Sequence, residues 1–414
     1  MLQLSDRDRQ FQRGDFGPGA ALAMNLVCDL ARAMRAESLI DISSAHVDGC
    51  FYVGDSSVDF VRTLVSGGAK VSVPTTLNVG SVDLLHSRLQ PLVGAGDAAV
   101  ELMDLYGQLG CAATWTCAPY QVQHRPSLGQ HVAWGESNAI IYANSVLGAR
   151  TERYGDFVDI ACAITGRAPY AGLHITENRR ASVEFDASKL PNSHYSDDVL
   201  FALIGRIVGK RADGRIPMIT GLPEATSDQM KALGAAAASS GNTALFHLVG
   251  STPEAPDKES ISAGADIPVV TVNDTDIREA WAELTTAGRG DLEFVCLGTP
   301  HFSFQEFAQL HQELNDRKVA DNIRLVVSTS RHTLEEVQGA GLYESLIRSG
   351  TEIVVDTCTY NSRVLGPVTG TVMTNSAKWA WYGPMNIGAD VLFAGLSACV
   401  DAAVRGRVPE HVFS

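Results

Sequence analysis

The sequence predicts an α/β protein whose sheets are mainly parallel and flanked by helices. Two observations point there. Near the N-terminus, strand-like runs at 39–42 and 70–73 bracket a helical pattern, a βαβ unit that implies parallel pairing. From residue 210 to 358 strand-like runs alternate with helical ones. The last three begin roughly 30 residues apart, the length of a βα unit. An apolar share of 45% supplies the side chains that such layers bury.

Taken in order, Leu22, Leu26 and Leu30, with Val27 and Met34, mark one face of a helix running to about Ala36. Residues 39–42 read as a buried strand ending in Ser43-Ser44-Ala45-His46. Val58, Val61, Leu64 and Val65 outline a second helix, stopped by Gly67-Gly68. The strand at 70–73 is closed by Pro74. A helix over 100–109 ends at Gly110, and a strand near 112–115 leads into Cys117-Ala118-Pro119. Ser137 caps a helix through Leu147, ended by Gly148, and a helix over 156–164 ends at Gly166. Strands follow at 217–220, 244–249, 269–272, 292–297, 323–327 and 352–355. Ser303 with Glu306, and Thr333 with Glu336, have capping-box spacing. The expected division is an α/β core domain over 1–209, a doubly wound subdomain over 210–365, and a C-terminal segment, 366–414, returning to the core and its site. The polar stretch 251–266 is a long loop rather than a linker.

At 414 residues the chain exceeds one ordinary core, so roughly two to four domains are expected. Charged residues make up 19%, below the ~25% usual for globular domains. With 38 glycines, this suggests tight loops and a surface partly covered by a partner. The formal charge of −15 repels phosphate backbones and anionic lipid, which argues against nucleic acid and membrane surfaces as partners. The segment from Met1 to Arg9 lacks the apolar core of a signal peptide. No apolar run approaches the ~18 residues of a membrane helix. A soluble, cytoplasmic protein is expected.

Open parallel sheets bind ligands beyond the carboxyl ends of their strands. That rule selects Ser44-Ala45-His46, Cys117-Ala118-Pro119, Gly298-Thr299-Pro300-His301 and Asp356-Thr357-Cys358. The eight cysteines are too widely spaced for a disulfide framework, and no C-x-x-C pair occurs. An isolated cysteine is most often a small buried apolar residue, and Cys28, Cys50, Cys111, Cys162 and Cys296 read that way. Cys117 and Cys358, just past strands, stand equally well as ligands. Cys399, inside a helical segment, reads as core when taken alone. Glu136 complements the start of the helix after it. There is no G-x-x-x-x-G-K-[ST], no strand-linked G-x-G-x-x-G, no G-x-S-x-G and no H-E-x-x-H. Two readings open from the residues alone are a cluster-free cysteine enzyme, with Cys358 as nucleophile and His301 as base, and a small-molecule-binding α/β module.

Longer stretches carry a resemblance. They are Ser44 to Gly49, Gly68 to Asn78, Glu136-Ser137-Asn138, Tyr142 to Thr151, Thr165-Gly166-Arg167 and Glu177-Asn178-Arg179. Pro300-His301, Asp356-Thr357-Cys358 and Met373 to Lys378 continue the series. In collinear order over nearly the whole chain they resemble the large catalytic part of aconitase X, a divergent branch of the aconitase superfamily. The resemblance implies a multi-layer aconitase-like fold and an iron–sulfur hydro-lyase. It also implies a small swivelling-domain subunit that completes the site and supplies the base, typically a serine. One branch dehydrates mevalonate 5-phosphate, the other cis-3-hydroxy-L-proline. The phosphomevalonate branch has cysteines flanking its Pro-His pair, where Thr299 and Phe302 stand here. The resemblance therefore favours the hydroxyproline branch and a [2Fe–2S] cluster, with a small carboxylate as substrate. On that reading Cys117, Cys358 and Cys399 are the metal ligands, thiolate being the donor such clusters require. His46, His301 and Lys378 are the catalytic candidates, and Ser44, Asn78, Ser137, Asn138 and Arg150 hold substrate.

Overall fold

The computed structural model describes residues 2–86, 96–122, 124–191, 194, 198–287, 291–361 and 363–409. Parts of the expected first and last domains, at 87–95 and 410–414, lie outside the described residues. The chain divides into two compact units. One comprises Met1–Ser81, Leu92–Arg180 and Thr252–Glu254; the other comprises Val82–Pro91, Ala181–Ser251 and Ala255–Ser414.

The first unit carries β1 (Leu39–Asp41), β2 (Ala45–Val47), β3 (Thr75–Leu77), β4 (Ala133–Trp134) and β5 (Arg167–Pro169). β2 lies between β3 and β4 with both pairings parallel, while β1 pairs with β5 antiparallel. The βαβ unit is present, but its strands sit several residues later than expected. Leu39 faces β5, and the segment before Pro74 forms no strand. The strand near 112–115 reduces to a bridge between Thr76 and Ala112.

The first long helix is Pro18–Ala33, and it buries Ala20, Ala23, Met24, Val27, Cys28 and Ala31. Leu22, Leu26 and Leu30 flank that face instead of forming it. Small residues allow this helix to lie close against Val158–Thr165, which is buried from Asp159 onward. Asp55–Ser66 ends at Gly67, and Val158–Thr165 ends at Gly166 in the left-handed region, as the glycine signals indicate.

The second unit carries β6 (Val183–Asp186), β7 (Pro217–Thr220), β8 (His247–Leu248) and β9 (Val269–Thr271), ordered β8-β7-β6-β9 and all parallel. β10 (Leu292–Leu297), β11 (Arg324–Thr329), β12 (Thr351–Val355), β13 (Thr371–Thr374) and β14 (Asp390–Phe393) form a second parallel sheet, ordered β12-β11-β10-β13-β14. The α/β class with mainly parallel, helix-flanked sheets is what the sequence predicts.

Hydrogen bonding joins segments across the boundaries drawn at 209/210 and 365/366. β6 shares a sheet with β7, and β13 shares one with β10. Leu297, Phe302, Phe307, Leu325, Val327, Val355, Met373 and Leu392 are buried together in the core of the five-stranded sheet. Each such side chain contributes roughly 1.5–3 kcal/mol by leaving water. Ser303 caps its helix in a full capping box with Glu306. The other box is not formed: Ser330 caps Arg331–Gly339 and bonds Thr333 N, so Thr333 lies inside the helix.

Candidate active site

In the first unit Asn78, Cys117, Ser137 and Asn138 lie toward the carboxyl end of β2, β3 and β4, whereas Ser44 precedes β2 and sits at its amino end. His46 is inside β2, one residue earlier in register than a strand-end reading places it, and is fully buried. It pairs with Thr76 on β3 and Trp134 on β4. Its ring lies 5.8 Å from that of Trp134, and Nδ1 is 2.8 Å from Thr76 Oγ1. The Thr76 hydroxyl also lies 3.4 Å from the Ala45 carbonyl, to which it can donate. His46 Nε2 has no partner among the described residues. Burial pulls its pKa down to about 4, against an opposing field from Glu136, and the ring is neutral at pH 7.

Asn78 follows β3, and its Nδ2 donates to the Asp48 carboxylate. Asn138 Nδ2 donates to Cys117 O at 3.0 Å and to Tyr120 Oη at 2.9 Å. The helix Ser137–Ser145 is capped by Glu136 rather than Ser137; Glu136 Oε2 accepts from Ala139 N at 2.7 Å. Ser137 Oγ donates to Glu136 Oε1 at 3.0 Å. Ser44 is buried, and its Oγ has no hydrogen-bond partner among the described residues. Cys117 is 3% exposed and precedes the short turn Pro119–Gln121. Arg150 stands apart from these groups. Its guanidinium donates to His174 O at 3.2 Å and Thr176 Oγ1 at 2.7 Å, which ties down a neighbouring turn.

In the second unit the candidates lie past β10, β12 and β13. His301 and Cys358 are buried, with a ring nitrogen and the thiol sulfur within 4.8 Å of each other. His301 Nε2 lies 3.2 Å from Thr357 O. A carbonyl only accepts, so Nε2 bears a proton, which leaves Nδ1 as the ring nitrogen able to act as a ligand. Thr299 Oγ1 and Thr357 Oγ1 are buried without hydrogen-bond partners among the described residues.

Lys378, 4% exposed, opens the helix Ala377–Ile387 and lines a cavity of about 190 Å³ with Thr299, Pro300, Asn375, Ser376 and Lys231. Lys231 was not legible as a site residue. Its buried ammonium reaches His301 O at 3.3 Å, Asp228 at 3.0 Å and the Glu306 carboxylate. Cys399, grouped with Cys358 by the resemblance, is not brought to His301 and Cys358. It lies within the helix Leu396–Arg405 in the apolar core, and its thiol points at Ala394 O, 3.6 Å away. Burial, with Asp198 and Cys296 nearby, pushes that thiol well up and keeps it protonated. Among the described residues, no helix is long and apolar enough to cross a membrane.

Family models described as Aconitase X first, second and third domains match residues 1–177, 180–282 and 292–405. The chain is 42% identical over 408 residues to a cis-3-hydroxy-L-proline dehydratase of Pseudomonas aeruginosa, covering 97% of this chain and 70% of that protein. It is 33% identical over 386 residues to the phosphomevalonate dehydratase large subunit of Thermococcus kodakarensis, covering 92% and 95%. A crystal structure of aconitase X from Thermococcus kodakaraensis, in its holo-form, superposes with a TM-score of 0.87 at 30% identity, covering 97% of this chain and all of that one. The chain belongs to the aconitase X family and is a hydro-lyase.

Proposed function

We propose that this chain is the large catalytic part of a cis-3-hydroxy-L-proline dehydratase, whose product is a pyrroline-2-carboxylate formed as the enamine tautomerises. The observation that carries the reading is the 42% identity over 97% of the chain to a relative named for that reaction, against 33% and 35% to two phosphomevalonate dehydratase large subunits. Thr299 and Phe302, flanking Pro300-His301, agree with it.

The cofactor of this reading is an iron–sulfur cluster, of the [2Fe–2S] type, held by Cys117 and Cys358 with His301 beside it. The donor chemistry fits: Cys358 and His301 place a soft thiol and an imidazole nitrogen within 4.8 Å in a buried setting. The unpartnered hydroxyls of Thr299 and Thr357 stand next to them in the chain. Cys399 we assign to the core, because its sulfur packs under the sheet. When bound, the cluster supplies a Lewis acid for the departing hydroxyl.

The chain's own residues do the rest. Dehydration breaks a C–H bond beside the carboxylate and the C–O bond on the next carbon. A C=C bond forms, and hydroxide leaves with a proton as water. Neutral His46 hydrogen-bonds the substrate hydroxyl through Nε2 and so orients the leaving group. Lys378 holds the carboxylate as negative charge builds there. Buried side chains exclude bulk water, which strengthens both contacts. The proton-abstracting base belongs to a smaller swivelling subunit. The name of the phosphomevalonate relative, a large subunit, supports such a partner.

Iron and sulfide analysis with an absorption spectrum, on protein purified without air, tests the reading. Brown protein holding both elements is expected. Active, colourless protein without iron would remove it.

A further inference from the structure

One face of the β3-β2-β4 sheet is rich in hydrogen-bond acceptors. His46, Thr76 and Trp134 lie side by side across it. Side chains alternate along a strand, so Asp48, Asn78 and Glu136, two positions on, continue that face. The hydrogen bond between Asn78 and Asp48 agrees with this placement. Asn138 is brought to the same end of the sheet by its bond to Cys117 O, because the preceding residue, Thr116, donates to Leu77 O at 3.0 Å.

Two buried amide acceptors here, Asn78 Oδ1 and Asn138 Oδ1, have no hydrogen-bond partner among the described residues, and neither do His46 Nε2 and the Trp134 N–H. Asn78 and Asn138 are 5% and 0% exposed. The amide orientations follow from their partners. Asn78 Nδ2 faces a carboxylate and Asn138 Nδ2 faces a carbonyl, groups that accept, so the oxygens are the open atoms. A buried acceptor left without a donor costs roughly 1–3 kcal/mol, and two amide oxygens in one region imply a ligand that donates to them. Carboxylates of Asp48 and Glu136 add negative charge to the same face. Such a surface suits a cation and disfavours a phosphate.

Cis-3-hydroxy-L-proline offers three donors, the 3-hydroxyl and two N–H groups of its ring ammonium. We propose that Asn78 Oδ1 and Asn138 Oδ1 hold the secondary ammonium of a cyclic amino acid, making this face the determinant that selects an amine-bearing substrate. This rests on the functional reading above and adds the residues that recognise the nitrogen.

The test is binding of two ligands to the full chain, purified without air, by titration calorimetry. L-proline carries the ammonium; tetrahydrofuran-2-carboxylate replaces it with an ether oxygen and needs no variant to interpret. The unaltered protein is expected to bind L-proline at least about tenfold more tightly, the effect of a charged hydrogen bond. Asn78→Leu and Asn138→Leu should each weaken L-proline about tenfold and leave the ether analogue within about twofold. Equal affinity for the two ligands, or equal losses for both in the variants, would overturn the inference. If the holoenzyme still dehydrates cis-3-hydroxy-L-proline in that case, the functional reading stands without it. If L-proline binds as expected while hydroxyproline is never dehydrated, the inference stands and the functional reading falls.

Discussion

Thr76 Oγ1 lies 2.8 Å from His46 Nδ1 and holds that ring by one nitrogen, while Nε2 has no partner among the described residues. Two strands in register therefore set the orientation of a catalytic candidate.

The same ring gives a pH dependence. Its folded pKa is depressed to about 4, whereas the unfolded chain has the ordinary 6.5. Above pH 6.5 both states are neutral and the stabilisation is fully present. As pH falls below 6.5 the unfolded chain takes up the proton first, so stability declines toward pH 4. Between pH 6.5 and 5 the loss from this residue is about 2 kcal/mol. Denaturant unfolding of the unaltered protein and of His46→Gln at the two pH values checks it; the variant should show the smaller decline.

Iron content separates the cysteines. Cys358→Ser should lose most of its iron during anaerobic purification, since a hydroxyl replaces the thiolate. Cys399→Ser should keep its iron and lose about 1–2 kcal/mol of stability, because the hydroxyl can still donate to Ala394 O in the apolar core. Colorimetric iron assay with thermal melts reads both outcomes.

Lys231 braces the loop that carries His301. Removing the ammonium alone leaves Glu306 and Asp228 without their buried cation, so Lys231→Met should cost about 3–5 kcal/mol. Adding Glu306→Gln removes one of the stranded charges, and the double variant should recover part of that loss. Chemical denaturation of the four proteins in the cycle gives the coupling directly.

Gly298 turns the chain from β10 into the same loop with φ +85°, and a Cβ there would stand 2.1 Å from Ser328 O. Gly298→Ala should therefore cost about 2–4 kcal/mol through backbone strain and the clash together. It should also lower iron retention, because the Thr299–His301 turn must move. Melting temperature and iron per chain are the readouts.

Periodicity made the second unit's strands from β7 to β12 legible, because βα units repeat and each strand is an apolar run. β6, β13 and β14 were missed; each is four residues long with a polar or acidic end, and only neighbouring strands reveal them. His46 was legible as a site residue but misplaced at a strand end, because register between β2 and β3 is a long-range property. The pairing of His301 with Cys358 followed from strand-end logic, as both succeed parallel strands of one sheet. Cys399 carries two readings: the apolar pattern around it describes its buried surroundings, and its grouping with Cys358 came from the resemblance alone. Lys231 and Thr76 gave no signal, since a buried lysine and a strand threonine are distinguishable only by their partners.

The central claim is tested most directly by turnover on two substrates. The anaerobically purified chain, with its small partner subunit, is given cis-3-hydroxy-L-proline and mevalonate 5-phosphate in parallel, and loss of each is followed by mass spectrometry. The account predicts loss of water from the hydroxyproline alone. Dehydration of the phosphomevalonate with the hydroxyproline untouched would contradict it.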